Sequence, residues 1–338
     1  MISMRELLHQ ISEISDHLHR ELSMGASRGN AWLLLDPSPL VSKPREDEWL
    51  NGVLADSVAS RVHSSRAEIP AEMYAKFLPV NSNNFHGSQQ LLNSIEAALT
   101  EIKADELNLG NGRVVAGWFE CGVDSDSDAQ RLISHYLRFM FHRRVDNRIE
   151  WLRWYDPAVL WILWDVLNAV QRKTLLGPIT RLWILDPVGQ LVNLQCTDDV
   201  LLTGQVGQSN LNPLNLSVEQ WQQIDNIGPF NRALLKTQLG DQNDGLIKGL
   251  TPSALAQHRR AGFGALSRAR QHGIKDPQDL ALFAELAMQC HPKFDQHSLV
   301  ITALQRFHSD VYFSACVADI DDAQWRVIAS EMSASHSD

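Results

Sequence analysis

Four short constellations in the chain carry residue types that could do covalent or metal chemistry. Gly25-x-Ser27-x-Gly29 has the letters of a nucleophile elbow, the sharp turn that lifts a serine hydroxyl above a sheet. That turn needs a strand before it and a helix after it, and here the helical pattern comes first. Gly240-x-x-x-x-Gly245 has the spacing of a phosphate loop, but Leu246 stands where the lysine must be, so the loop has no cation to offer a triphosphate. Cys290-His291 with His297 is the nearest approach to a metal cluster; tetrahedral zinc needs four ligands in close pairs, and no second pair follows. His135 sits near Asp124, Asp126 and Asp128, a set that suits acid–base work only if the fold brings the carboxylates to the imidazole. The bland reading of His135 is the edge of a helix stripe. The expectation is no catalytic residue, no metal and no cofactor.

Charge narrows the partners. Lys+Arg number 30 against Asp+Glu 40, a net charge of −10, and an acidic surface repels phosphates. A general binder of nucleic acid or anionic membrane is therefore not expected, and the short basic pairs Arg143–Arg144 and Arg259–Arg260 read as solvated faces. The first residues carry Glu6 and build no apolar core of a secretory signal. The most apolar stretch, residues 158–164, is far below the ~18 residues that a membrane-crossing helix needs. Four scattered cysteines, Cys121, Cys196, Cys290 and Cys316, suit reduced thiols better than a disulfide framework. A cytoplasmic protein is the expectation, and Asn215-Leu-Ser217 then carries no meaning as a glycosylation acceptor.

The elements that would position any site follow from periodicity. Residues 5–22 read as a helix, 31–36 as a buried strand, 74–80 as an edge segment because of Pro79, and 91–107 as a helix. The stretch after Pro37, up to about Glu68, is polar and contains proline. Residues 113–120 read as a strand. A helix is expected next, with Leu132, Ile133, Tyr136, Leu137, Met140 and Phe141 on one stripe and Arg138 and His142 on the other face. Residues 149–155 look extended. Asp156-Pro157 then has the N-cap and first-turn signature of a helix running to Gly177-Pro178. A hairpin is expected across Asp186-Pro-Val-Gly189. The pattern after residue 213 is helical throughout: 217–224, 229–239, 254–272, 277–290, 299–307 and 323–332. At 338 residues the chain exceeds one ordinary core. It divides into an α/β (α+β) N-terminal domain with a mixed sheet over residues 1–202, a linker or long loop at 203–216, and an all-helical lobe over 217–338.

Tryptophan is the compositional anomaly. Trp151, Trp154, Trp161 and Trp164 fall within fourteen residues. Each can bury ~150–250 Å², so four represent roughly 600–1,000 Å² of apolar surface. Left open, that would exceed the ~300–600 Å² largest patch of a typical soluble monomer. Those rings either build a core or line a partner groove; Trp161, Trp164 and Phe141 are the candidates for partner contact.

With these residues in view, the chain resembles the effector adaptors, or chaperones, of bacterial type VI secretion systems, a domain family encoded beside spike-protein and effector genes. The resemblance rests on Trp32-Leu-Leu-Leu-Asp36, on Ser134-His-Tyr-Leu-Arg138, and above all on Leu152-Arg-Trp-Tyr-Asp-Pro-Ala-Val-Leu160, with Gln171, Gly177-Pro178 and Trp183 following in order. It covers residues 31–194. Trp154 replaces the family's usual phenylalanine and Ala158 its usual arginine. What the resemblance implies is a non-enzymatic protein that binds a cognate secreted effector in the cytoplasm, keeps it soluble and helps load it onto the spike of the secretion tube. Signature residues His135, Arg138, Arg153, Tyr155, Asp156 and Pro157 are expected to be structural, with Asp156 capping the helix and Arg153 pairing with it. The competing readings are a hydrolase or transferase with an unrecognised site, a nucleic-acid-linked regulator using His258, Arg259, Arg260, Arg268 and Arg270, and a scaffold that merely shares the adaptor fold.

Overall fold

The structure is a computed structural model describing residues 4–25, 30–42, 48–56, 75–81, 84–102, 113–121, 132, 134–144, 146–196, 212–239, 251–308 and 311–334. The chain divides into two compact units, Met1–Trp221 and Gln222–Asp338. The division falls within the helix Val218–Leu239, and residues 203–211 of the expected linker lie outside the described residues.

The first unit is α/β. Its strands β1 (Asn30–Leu35), β2 (Lys76–Val80), β3 (Val115–Cys121), β6 (Ile179–Leu185) and β7 (Leu191–Leu194) form one sheet in the order β2-β1-β3-β6-β7. All four pairings are antiparallel. A separate ribbon pairs β4 (Phe141–Arg143) with β5 (Ile149–Trp151). The central strand β3 is buried at every position, as befits a strand covered on both faces. Gly117 at its middle lies where a Cβ would meet the Trp183 carbonyl oxygen at 2.5 Å, so the two backbones approach closely only because this residue has no side chain. Pro79 lies on edge strand β2, where a missing N–H costs no ladder bond.

The β6–β7 hairpin turns where the Asp186-Pro-Val-Gly189 signal placed it. Asp186 Oδ1 accepts from the N–H groups of Val188 (2.9 Å) and Gln190 (2.8 Å), and Gly189 supplies φ 80°. Helices Met4–Gly25 and Phe85–Glu101 pack against each other. The second starts and ends about six residues earlier than its expected span, because Asn84 caps it by accepting from the Gly87 N–H. The polar stretch after Pro37, to which the sequence assigned no element, holds two helices, Ser38–Ser42 and Glu48–Asp56.

Two other expectations are corrected. The helix expected to carry Phe141 and His142 ends by residue 137, and both residues lie in β4. The reason is non-local: a tight turn with Asn147 at φ 66° folds β5 back, and Phe141 faces Trp151 in register. The helix opened by Pro157 stops at Val166, and a new one runs Ala169–Leu176. Leu167 is extended, and Asn168 with Gln171 forms a reciprocal capping box that starts the second helix.

The second unit is helical: the rest of Val218–Leu239, then Pro252–Gln271, Pro277–Gln289, Ser298–Leu304, Phe313–Val317 and Asp322–Ala334. Pro229 sits inside the first of these without ending it, so the two helices expected there are one. The core is aromatic, with Phe283 in contact with Phe294 (4.8 Å between centroids) and Phe313 (5.1 Å). Asp276 and Thr251 cap two of the helices. Among the described residues no helix is long and apolar enough to cross a membrane.

Candidate functional site

The segment leaving β5 turns sharply into the helix Pro157–Val166, and this corner holds most of the signature residues. Asp156 is its N-cap, with Oδ1 accepting from the Ala158 N–H at 2.9 Å and Pro157 at the first helical position. Arg153 Nη2 lies 3.5 Å from Asp156 Oδ2. Its closer partner is Asp36, at the end of β1 and 117 residues away in sequence. Asp36 has no solvent exposure, and its other oxygen accepts from the Ser38 N–H at 3.0 Å. Burial pushes the Asp36 carboxyl above the ordinary carboxylate range, and the Arg153 charge pulls it back toward the ionised form. Burial, with Asp36 next to it, also raises the Tyr155 phenol.

Aromatic contacts tie the other signature segments to the same corner. Trp32 stacks on Phe119 (6.3 Å), Phe119 meets Phe77 edge-on (6.0 Å), Phe77 stacks on Tyr136 (5.8 Å), Tyr136 on Trp154 (4.7 Å), and Trp154 meets Tyr155 (5.8 Å). The Tyr136 hydroxyl donates to the Leu176 carbonyl at 2.6 Å, and His135 Nε2 lies 3.2 Å from the Leu175 carbonyl. Together they latch residues 134–137 onto the turn at Gly177. Burial, with Arg138 next, lowers the His135 pKa to about 4, so the ring is neutral at pH 7. Arg138 is exposed, its guanidinium 4.8 Å from the Phe139 ring centre. The acidic turn of residues 124–128, the candidate partner for His135, lies outside the described residues.

The partner-contact candidates are distributed differently. Trp164 is 9% exposed and has the Arg172 guanidinium 5.3 Å from its ring, leaving little of the indole for a partner. Trp161 is half-buried. Phe141 is half-buried and opposite Trp151 on the β4–β5 ribbon. Successive side chains alternate faces in a strand, so Phe141, Trp151, Arg143 and Ile149 share one face and His142 and Glu150 the other. Ile149 is 49% exposed and Arg143 is exposed, whereas His142 is fully buried. The ribbon thus offers a two-aromatic, one-aliphatic face rimmed by a cation. Sequence reading missed Ile149 and did not place Trp151 there, because the helix expected at Phe141 hid the pairing.

The enzymatic constellations fare differently. Cys290 Sγ is 3.5 Å from the Trp325 carbonyl, and His297 Nε2 pairs with Glu331 at 2.9 Å; among the described residues no group of three His, Cys, Asp or Glu side chains could hold a metal. Residues 26–29 and 240–250 lie outside the described residues. A cavity of about 550 Å³ in the helical unit is lined by His272, Lys275, Asp276, Asp279, His308 and Tyr312, among others. Its carboxylates are committed to the backbone: Asp276 accepts from Gln278 and Asp279, and Asp279 from Phe313 (2.7 Å) and Ser314 (3.1 Å). No family model, curated protein or solved structure matches the chain.

Proposed function

We propose that this protein is a cytoplasmic adaptor that grips a secreted effector polypeptide, keeps it soluble and presents it to the spike of a type VI secretion tube. One observation carries the reading. The three segments on which the resemblance rests, scattered over residues 32–160, meet at a single corner through the Arg153–Asp36 pair and the aromatic chain from Trp32 to Tyr155. Motifs matched by chance have no reason to converge on one another. Their burial makes them a framework, so the gripping surface lies elsewhere. The face of the β4–β5 ribbon with Phe141, Ile149 and Trp151 suits that role, with Trp161 a second candidate, because half-exposed aromatics are the side chains that become interface hot spots. A specific interface buries ~1,200–2,000 Å² in total, so this face would be its centre and not the whole of it.

The experiment is co-expression with the polypeptide encoded beside this one, followed by affinity capture. Ile149→Ser with Trp151→Ala should cut capture at least about tenfold, in line with the ~2 kcal/mol of a hot spot, while Arg138→Ala should not. Trp164→Ala makes a poor probe because it opens the core. Undiminished capture by a folded Ile149→Ser/Trp151→Ala variant would remove the ribbon from the interface, and no capture by the native chain would remove the adaptor role.

A further inference from the structure

A cavity in the first unit lies between the helix Glu48–Asp56 and the last turns of the helix Phe85–Glu101. Its volume is about 260 Å³, and its walls include Trp49, Leu50, Glu96, Ala97, Thr100 and Glu101. Size comes first. Whole small-molecule sites occupy ~300–1,000 Å³, whereas one water needs only ~10–15 Å³. The space therefore suits a group the size of one amino-acid side chain.

Charge and polarity then select the group. Trp49, Leu50 and Ala97 give the lining its apolar and aromatic surface, Glu96 and Glu101 give it two carboxylates, and Asn93 and Thr100 add neutral polar groups. Glu101 is buried and accepts from the Val114 and Val115 N–H groups at 2.9 and 3.0 Å, with Arg113 near enough to feel its charge. Glu96 is exposed and has neither a hydrogen bond nor an ion pair to any other described residue. Both acids sit in the last two turns of their helix, and its last turn holds no basic residue. The carbonyl end of a helix already carries partial negative charge, so the two carboxylates add to it where a cation would be expected.

We infer that this cavity is a binding site for an alkylguanidinium or alkylammonium group. The aliphatic stem packs along Leu50 and Ala97. The cationic head sits within reach of the Trp49 indole, whose ring attracts positive charge, and pairs with Glu96. The source of such a group is a free diamine-like metabolite or an arginine or lysine side chain of another polypeptide. The site uses no residue of the β4–β5 ribbon, so it stands or falls separately from the adaptor role.

The test is titration calorimetry of the full chain at low salt with three probes: agmatine, a capped Gly-Arg-Gly peptide, and the same peptide with neutral citrulline. Both cations should bind one-to-one and the citrulline peptide should not, and binding should weaken as salt rises. Tighter agmatine points to a metabolite, and a tighter arginine peptide points to a polypeptide ligand. Glu96→Gln, at an exposed position, should keep the native melting temperature and weaken both cations roughly three- to tenfold; Trp49→Leu should do likewise through the lost ring. Absence of binding at millimolar cation, equal binding of the citrulline peptide, or unchanged affinity in Glu96→Gln would overturn the assignment.

Discussion

Replacing Arg153 by methionine keeps most of the side-chain stem and removes the charge that faces Asp36. Asp36 is fully buried, and without Arg153 its carboxylate is left with the Ser38 N–H and hydroxyl, both neutral. Breaking a buried pair from one side costs ~3–5 kcal/mol, because the stranded charge has lost its water. Arg153 is itself 31% exposed, so some solvent reaches the site, and the low end, about 3 kcal/mol, is the expectation. Nine of the ten tryptophans lie at or before Trp221, the exception being Trp325. Urea unfolding followed by tryptophan fluorescence therefore reports on the first unit. With a denaturant slope of ~1–3 kcal/mol per molar, the midpoint should fall by about 1–3 M.

The double variant Arg153→Met/Asp36→Asn makes the argument refutable. It leaves no buried charge at that position, so it should be more stable than Arg153→Met alone, although each change acts on a native contact. The sign of the pH effect is fixed as well. Burial already raises the native pKa of Asp36 above 3.8, and losing Arg153 raises it further. A carboxyl whose folded pKa is raised favours folding while protonated and loses that advantage as pH rises through the folded value. The gap between native protein and Arg153→Met should thus narrow on acidification toward pH 4. Additive single effects, within about 0.5 kcal/mol, would mean that Arg153 and Asp36 are merely neighbours and that the corner is held by packing alone.

Acidification should also act through the buried imidazoles. Burial lowers the pKa of both His142 and His135 to about 4, against an ordinary 6.5. The contribution of each imidazole should therefore be fully present above pH 6.5 and decline as pH falls toward 4, by at most ~3.5 kcal/mol per histidine at ~1.4 kcal/mol per pH unit. His142→Gln should flatten that dependence in fluorescence-monitored unfolding; an unchanged slope would place the sensitive group elsewhere. Gly177 has φ 55°, and a Cβ there would meet His135 Nε2 at 2.2 Å. Gly177→Ala should cost more than about 2 kcal/mol through backbone strain and overpacking, and His135→Ala should relieve part of it; a melting temperature equal to the native value would contradict the latch.

What the sequence made legible was local. The Asp156-Pro157 start, the Asp186–Gly189 turn and the edge position signalled by Pro79 each carry their physics within a few residues, and each stands where it was read. The helix break at Leu167–Asn168 was hidden because apolar residues keep helical spacing across it; only the Asn168–Gln171 pairing announces the new start. Phe141 was misplaced for a related reason. Its apolar spacing from Tyr136 and Leu137 suits a helix, and what overrides it is pairing with Trp151, which no local window contains. The same holds for Asp36. Arg153 was expected to serve Asp156, three residues away, yet the shorter contact reaches a carboxylate 117 residues distant.

The tryptophan excess resolves along the same lines. Read as composition, four clustered indoles left two readings open, a core or a partner groove. The fold absorbs Trp154 into the aromatic chain and Trp164 beneath Arg172, while Trp151 and Trp161 stay half-buried. Half of the cluster thus serves the core, and area alone no longer argues for a partner. What argues for one is placement. The β4–β5 ribbon pairs with no other strand among the described residues, and its inner face is anchored by fully buried His142, whose ring meets Trp221 edge-on at 6.0 Å. Its outer face keeps Phe141, Trp151 and Ile149 together without any need of the sheet for that arrangement. A ribbon held on its inner face by a buried side chain has less backbone to order on docking, which lowers the cost of binding through its outer face.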